Sequence, residues 1–193
     1  MTTGQATSRR RKRTPKPLDR ARLEELALAY VARFSTSAGK LGAYLRRKLR
    51  ERGWDEEGEP DIDALVARFV ERRYVDDEAY GRAKARGLLD RGYGSRRVEE
   101  ALRAAEIGES VRSELVPDEA DRRRAIFALA RRRKFGPFGA PPPPDAQAGL
   151  KLREKRLAAM LRAGHDFDAA RRVLEAATVE ELEEWVAEAS DDG

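Results

Sequence analysis

The sequence predicts an all-α protein: three tandem three-helix repeats forming an elongated, curved rod, with a disordered basic N-terminal tail. Three observations carry this. Apolar residues recur at three- and four-residue steps, and no alternating strand pattern of useful length is found. Hydrophobic residues make up 40% of the 193-residue chain and charged residues 39%, so the core is thin and spread over much surface. Finally, one punctuated unit recurs. A basic helix around Arg46–Arg52 stops at Gly53-Trp54 and leads to Asp61-Ile62-Asp63-Ala64. Another around Lys155–Arg162 stops at Gly164-His165 and leads to Asp166-Phe167-Asp168-Ala169. Recurrence of one unit is read as an array.

Residues 1–17 lack periodicity and form the expected tail. A first helix over roughly 19–34 puts Leu23, Leu26, Tyr30 and Phe34 on one face. Ser37 is placed to cap a second helix with Leu41, Leu45 and Leu49, and Gly53 ends it. After an acidic loop closed by Pro60, Asp61 caps a third helix with the stripe Ile62, Leu65, Val66, Phe69 and Val70. Repeat 1 thus spans 18–75.

Repeat 2, 76–116, opens at Asp76-Asp77-Glu78, acids suited to the positive end of a helix dipole. Tyr80, Ala83, Gly87 and Leu88 form a weaker stripe. Gly92-Tyr93-Gly94-Ser95 is a turn from which Ser95 is expected to cap the next helix, with Val98, Ala101, Leu102 and Ala105 inward. A short helix around 111–115 precedes Pro117. Glu106 stands where the glycine stop is expected.

Repeat 3, 117–193, opens at Asp118 with Ala125, Ile126, Leu129 and Ala130 inward. The Pro-rich connector 136–145 is expected to be extended rather than helical. Helices near 147–163 and 166–176 follow. Thr178 with Glu181 is a capping box for a last, acidic helix bearing Leu182, Trp185 and Val186.

Cysteine is absent and one histidine is present, His165, which excludes disulfides and thiolate chemistry and leaves no ligand set for zinc. No Gly-rich phosphate loop or nucleophile motif occurs. No run approaches the ~20 apolar residues of a membrane span. The expectation is a non-enzymatic cytoplasmic protein without a cofactor or membrane contact, monomeric when free.

The net charge of +5 is uneven. The tail holds Arg9, Arg10, Arg11, Lys12, Arg13 and Lys16 and no acid; without them 34 bases face 35 acids. A basic arm gains DNA affinity by releasing condensed counterions, without sequence preference. The second helix adds Lys40, Arg46, Arg47, Lys48, Arg50 and Arg52 against Glu51. Arg96, Arg97 and Arg103 are interleaved with Glu99 and Glu100, which favours ion pairing within the helix. Arg122, Arg123 and Arg124, then Arg131, Arg132, Arg133 and Lys134, bracket one helix with no acid between them. These are the candidate contacts to single- or double-stranded DNA or, for the second helix, to phosphate or an acidic protein patch, against a solvated polar face as the alternative. Lining the inner edge of the rod is the arrangement expected of them. Trp54, Tyr74, Tyr80 and Tyr93 sit near turns, where packing is favoured over base stacking.

The segments Tyr74-Val75-Asp76-Asp77-Glu78-Ala79-Tyr80 and Gly92-Tyr93-Gly94-Ser95-Arg96-Arg97-Val98-Glu99-Glu100-Ala101-Leu102 resemble the RecX family, as do Leu45–Leu49 and Arg172-Val173-Leu174. The resemblance covers roughly residues 20–176. Ala163-Gly164-His165 departs from the family's usual Arg-Gly-Phe. The resemblance implies a curved helical rod lying along the filament of the recombinase RecA on DNA. It also implies inhibition of RecA ATP hydrolysis and strand exchange, and a part in recombination, DNA repair and the SOS response. The basic clusters would then be filament contacts. A filament-independent DNA-binding helical module is the alternative.

Overall fold

The computed structural model describes residues 16–191, with side chains described through residue 189. The tail residues Arg9, Arg10, Arg11, Lys12 and Arg13 lie outside the described residues. Ten α-helices and one 3₁₀ turn are found among the described residues, and no strand beyond a single bridge pairing Leu18 with Trp54. The helices are α1 (Arg20–Val31), α2 (Ala38–Arg52), α3 (Ile62–Glu71), α4 (Asp77–Leu89) and α5 (Ser95–Arg103). They continue with α6 (Glu109–Glu114), α7 (Glu119–Arg133), α8 (Ala146–Arg162), α9 (Phe167–Glu175) and α10 (Val179–Asp191).

Most starts are capped locally. Asp19, Asp61, Asp76, Asp118 and Asp166 each accept a hydrogen bond from the backbone N–H three residues on, at 2.6–2.8 Å. An N-terminal turn leaves such donors free, and a short carboxylate satisfies one while facing the positive dipole end.

The apolar stripes close into three small cores. Leu23, Ala27, Leu41, Leu45, Ile62, Leu65 and Phe69 join α1, α2 and α3, with Leu18 and Val75. Ala85, Val98, Leu102, Ala105 and Ile107 join α4 and α5, with Val111 and Leu115 of α6 against them. Ile126, Leu129, Met160, Val173 and Leu182 join α7, α8, α9 and α10. Helices this short are marginal alone and are held by such packing.

The cores are linked end to end through α2, α5 and α8. The start of α2 abuts the end of α5: the Ser37 hydroxyl donates to the Ala105 carbonyl, and Asp77 accepts from the Ala38 N–H at 2.8 Å. The start of α5 abuts the end of α8: the Gly94 N–H donates to the Ala163 carbonyl at 2.9 Å and the Arg96 N–H to the Gly164 carbonyl at 3.3 Å. Helix starts have spare donors and helix ends spare acceptors, so each end satisfies its neighbour. At the end of α2 no helix start of another core docks among the described residues. There Leu18 covers the stop, its N–H donating to the Gly53 carbonyl and its carbonyl accepting from Asp55, both at 2.9 Å.

Several local expectations are corrected. The first helix ends at Val31, and Phe34 lies beyond it, 51% exposed. Val70 and Ala83 are exposed; in α4 it is Gly81 and Ala85 that are buried. Ser95 is the first residue of α5 rather than its cap; Gly94 holds the cap position, and the buried Ser95 hydroxyl has no partner. The Pro-rich connector contains a 3₁₀ turn, Gly136–Phe138, because proline tolerates the first turn of a helix. In the final capping box Thr178 accepts from Glu181 N–H, but Glu181 reaches back to Ala177 rather than to Thr178.

Candidate nucleic-acid interface

The basic clusters fall into two kinds. Most of their cations are already paired. On α2, Arg46 reaches Asp63 at 2.5 Å, while Lys48 (2.6 Å) and Arg47 (3.7 Å) share Glu51. The Lys48 hydrogen bond holds the Glu51 carboxyl below its ordinary range. Arg52 donates to the Lys16 carbonyl at 2.8 Å. On α5, Arg97 pairs with Glu100 at 2.8 Å, Arg103 with Glu99 at 2.5 Å, and Arg96 donates to the Leu161 carbonyl at 2.5 Å. These are mostly exposed i, i+3 and i, i+4 pairs, each worth only a few tenths of a kcal/mol, about 0.3–0.5. A phosphate can displace such partners.

The two ends of α7 differ. Arg122 and Arg123 bind Glu119 at 2.8 Å, and Arg124 binds Asp121 at 2.9 Å. No acid stands between the two arginine runs; the acids that pair with the first run, Glu119 and Asp121, precede it. Arg123 also donates to the Trp185 carbonyl at 2.6 Å and lies 4.8 Å from the Trp185 ring centroid, tying α7 to α10. Its hydrogen bond keeps Glu119 ionised below the usual range. Arg123 is therefore a packing residue. At the other end Arg131, Arg132, Arg133 and Lys134 are all exposed and have no acidic partner among the described residues. Arg50 is exposed too, and its charge adds to the field that keeps Glu51 ionised. Lys134 closes the helix in the left-handed conformation, φ 55°.

The aromatics near turns are mostly structural. Trp54 and Tyr80 pack against the first and second cores. Tyr74 is 51% exposed but leans on Phe69. His165 is buried, its Nε2–H donating to the Gly92 carbonyl at 3.0 Å; burial pushes its pKa below the ordinary 6.5. It belongs to the α5–α8 junction. Tyr44 joins Tyr30 and Phe34 in a second aromatic group that no single segment shows, because Tyr44 falls on α2 and its partners on or after α1. Its legible signal was local: Arg47 and Lys48 follow Tyr44 by three and four residues.

No protein-family model matches the chain. The regulatory protein RecX of Myxococcus xanthus is 30% identical over 172 residues, covering 83% of this chain and 88% of that protein. The chain belongs to the RecX family. A RecX of Mycobacterium sp. (strain KMS) is 33% identical over 155 residues, 76% of this chain and 78% of the relative. The fold agrees with two RecX crystal structures. The one from Lactobacillus salivarius has a TM-score of 0.58 at 13% identity, covering 84% of this chain and 96% of that one. The other has a TM-score of 0.56 at 16% identity, covering 81% of this chain and 71% of that one. As a RecX protein the chain is a regulator rather than an enzyme. No helix among the described residues is long and apolar enough to cross a membrane.

Proposed function

We propose that this RecX protein binds the RecA–DNA filament in the bacterial cytoplasm and inhibits RecA ATP hydrolysis and strand exchange. On this reading the three cores are three tandem repeats, 18–75, 76–116 and 117–193, forming an elongated, curved rod that is monomeric when free. The observation that carries it is the end-to-end joining of α2, α5 and α8, because a chain of serially docked units suits a partner that is itself a repeating polymer. The exposed cations Arg131, Arg132, Arg133 and Lys134 contact phosphate directly. The paired ones on α2 and α5, with Arg122 and Arg124 at the start of α7, exchange weak carboxylate partners for filament contacts, while Arg123 stays packed against Trp185. Arg9, Arg10, Arg11, Lys12 and Arg13 add sequence-independent DNA affinity. Inhibition requires tighter binding to a filament state that does not cycle ATP; equal binding to both states shifts nothing.

The test is RecA ATPase on single-stranded DNA at fixed salt. Hydrolysis is expected to fall as the chain is added, and the combined change Arg131→Glu with Arg133→Glu is expected to relieve much of the inhibition. Unchanged hydrolysis with the unaltered chain refutes the reading. The alternative, a DNA-binding module acting without RecA, predicts tight binding to naked DNA with a steep salt slope and no preference for RecA-coated DNA.

A further inference from the structure

On the first core, three aromatic rings and three cations share one surface. Tyr30 of α1 stacks on Tyr44 of α2, with centroids 4.2 Å apart and planes at 16°. Phe34 lies 5.3 Å from Tyr30, tilted by 49°. Tyr30 and Tyr44 are half-buried against the core, whereas Phe34 is 51% exposed. The Arg33 guanidinium sits 5.7 Å from the Phe34 centroid; Arg47 and Lys48 sit 5.6 and 5.9 Å from that of Tyr44. Glu51 is the acid that binds Arg47 and Lys48. Arg33 has no ion-pair partner among the described residues.

We propose that this patch is a base-stacking site for an unpaired nucleic-acid strand, with Phe34 as the platform and Arg33, Arg47 and Lys48 as phosphate contacts. The proposal rests on the DNA-contact part of the function proposed above and specifies its strand state. An unpaired strand offers flat rings and anionic groups in alternation, and the patch offers rings and cations in alternation. A duplex hides its ring faces in its own stack. An apolar partner helix would have to bury the cations, and an acidic peptide has no use for Phe34. An exposed cation–π contact is weaker than stacking of a base on an aromatic ring, so a base displaces Arg33 and frees it for phosphate.

The experiment measures binding of the full chain, without RecA, to an oligothymidylate, to an abasic strand of equal length, and to a duplex. The abasic strand keeps the phosphates and removes the rings. The unaltered chain is expected to prefer oligothymidylate over the abasic strand by at least about fivefold. Phe34→Ala is expected to abolish that preference while leaving abasic binding unchanged, and Phe34→Trp to retain it. Because Phe34 is half-exposed, both variants are expected to melt as the unaltered chain does. Equal binding of the two single strands by the unaltered chain, or no binding to naked strands, overturns the proposal. So does a Phe34→Ala variant that keeps the preference or loses affinity for both strands alike. RecA ATPase reports separately on the filament reading, which stands or falls without this result.

Discussion

The two junctions of the chain solve one problem by different means. In both, a helix starts against the end of a later helix, and the starting segment brings a glycine to the closest approach. A Cβ on Gly39 would lie 2.4 Å from the Glu106 carbonyl oxygen, and one on Gly94 2.4 Å from that of Gly164. In both, the cap residue of the starting helix bonds the carbonyl just before the left-handed stop. At the α2–α5 junction that donor is a side chain, the Ser37 hydroxyl, and the stop is Glu106, at φ 55°. At the α5–α8 junction it is the Gly94 backbone, and the stop is Gly164, at φ 96°. At the α5–α8 junction there is no room for a Cβ on either side, at Gly94 or at Gly164. At the α2–α5 junction a Cβ is excluded on the starting helix, at Gly39, but the stop accepts one, and Glu106 holds the left-handed conformation with some strain.

The largest test of this contrast is Gly164→Ala. Left-handed strain costs about 1–3 kcal/mol, and the new Cβ would sit 2.6 Å from the Arg97 backbone nitrogen. A loss of about 3 kcal/mol or more is expected in chemical denaturation, with Gly94→Ala close behind at the upper end of overpacking costs, about 3 kcal/mol. A loss below about 1 kcal/mol for both would show that the junction relaxes readily. Ser37→Ala comes next. It removes the cap on the Lys40 N–H, 3.2 Å away, and strips the Ala105 carbonyl of the Ser37 donor. About 2 kcal/mol is expected from those two losses; a neutral result would transfer the weight of that junction to Asp77.

Glu106→Gly should move stability the other way. It relieves a left-handed non-glycine residue and should raise the melting midpoint, by about 0.5–1 kcal/mol in stability, whereas the same change at an ordinary helical site destabilises. A loss would mean that the Glu106 side chain holds the junction.

The smallest effect is the pH dependence at His165. Its folded pKa lies below 6.5 because burial disfavours the charged ring, so the unfolded chain binds the proton more readily. Stability is therefore full above 6.5 and declines as pH falls from there toward the folded value. Melting curves between pH 7.5 and pH 5 should show this slope, and His165→Gln should flatten it. An unchanged slope would assign the acid sensitivity to carboxylates.

Much of the fold was legible because its determinants are local. Asp61, Asp118 and Asp166 announce helix starts three residues from the donors they satisfy, and the stripes Leu41–Leu45 and Ile126–Leu129–Ala130 lie within single helices. Even the missing glycine at 106 was visible, although not that Glu106 would take the glycine conformation. The charge clusters were legible as composition but not as surface. Whether an arginine is free depends on acids that only folding brings near it, as Asp63 is brought to Arg46 and Glu188 to Arg123, the latter at 3.6 Å.

The sequence by itself determined the class, the helices and most of their caps, since a helix and its cap are settled by residues within one turn of each other. Only the tertiary structure decided that Asp77 serves the start of α2, that Ser95 does not cap α5, and that Tyr30, Phe34 and Tyr44 share one surface. Those outcomes depend on groups up to tens of residues apart competing for the same donor, carbonyl or ring face. That competition is resolved when the three cores pack, and no periodicity within a single segment encodes it.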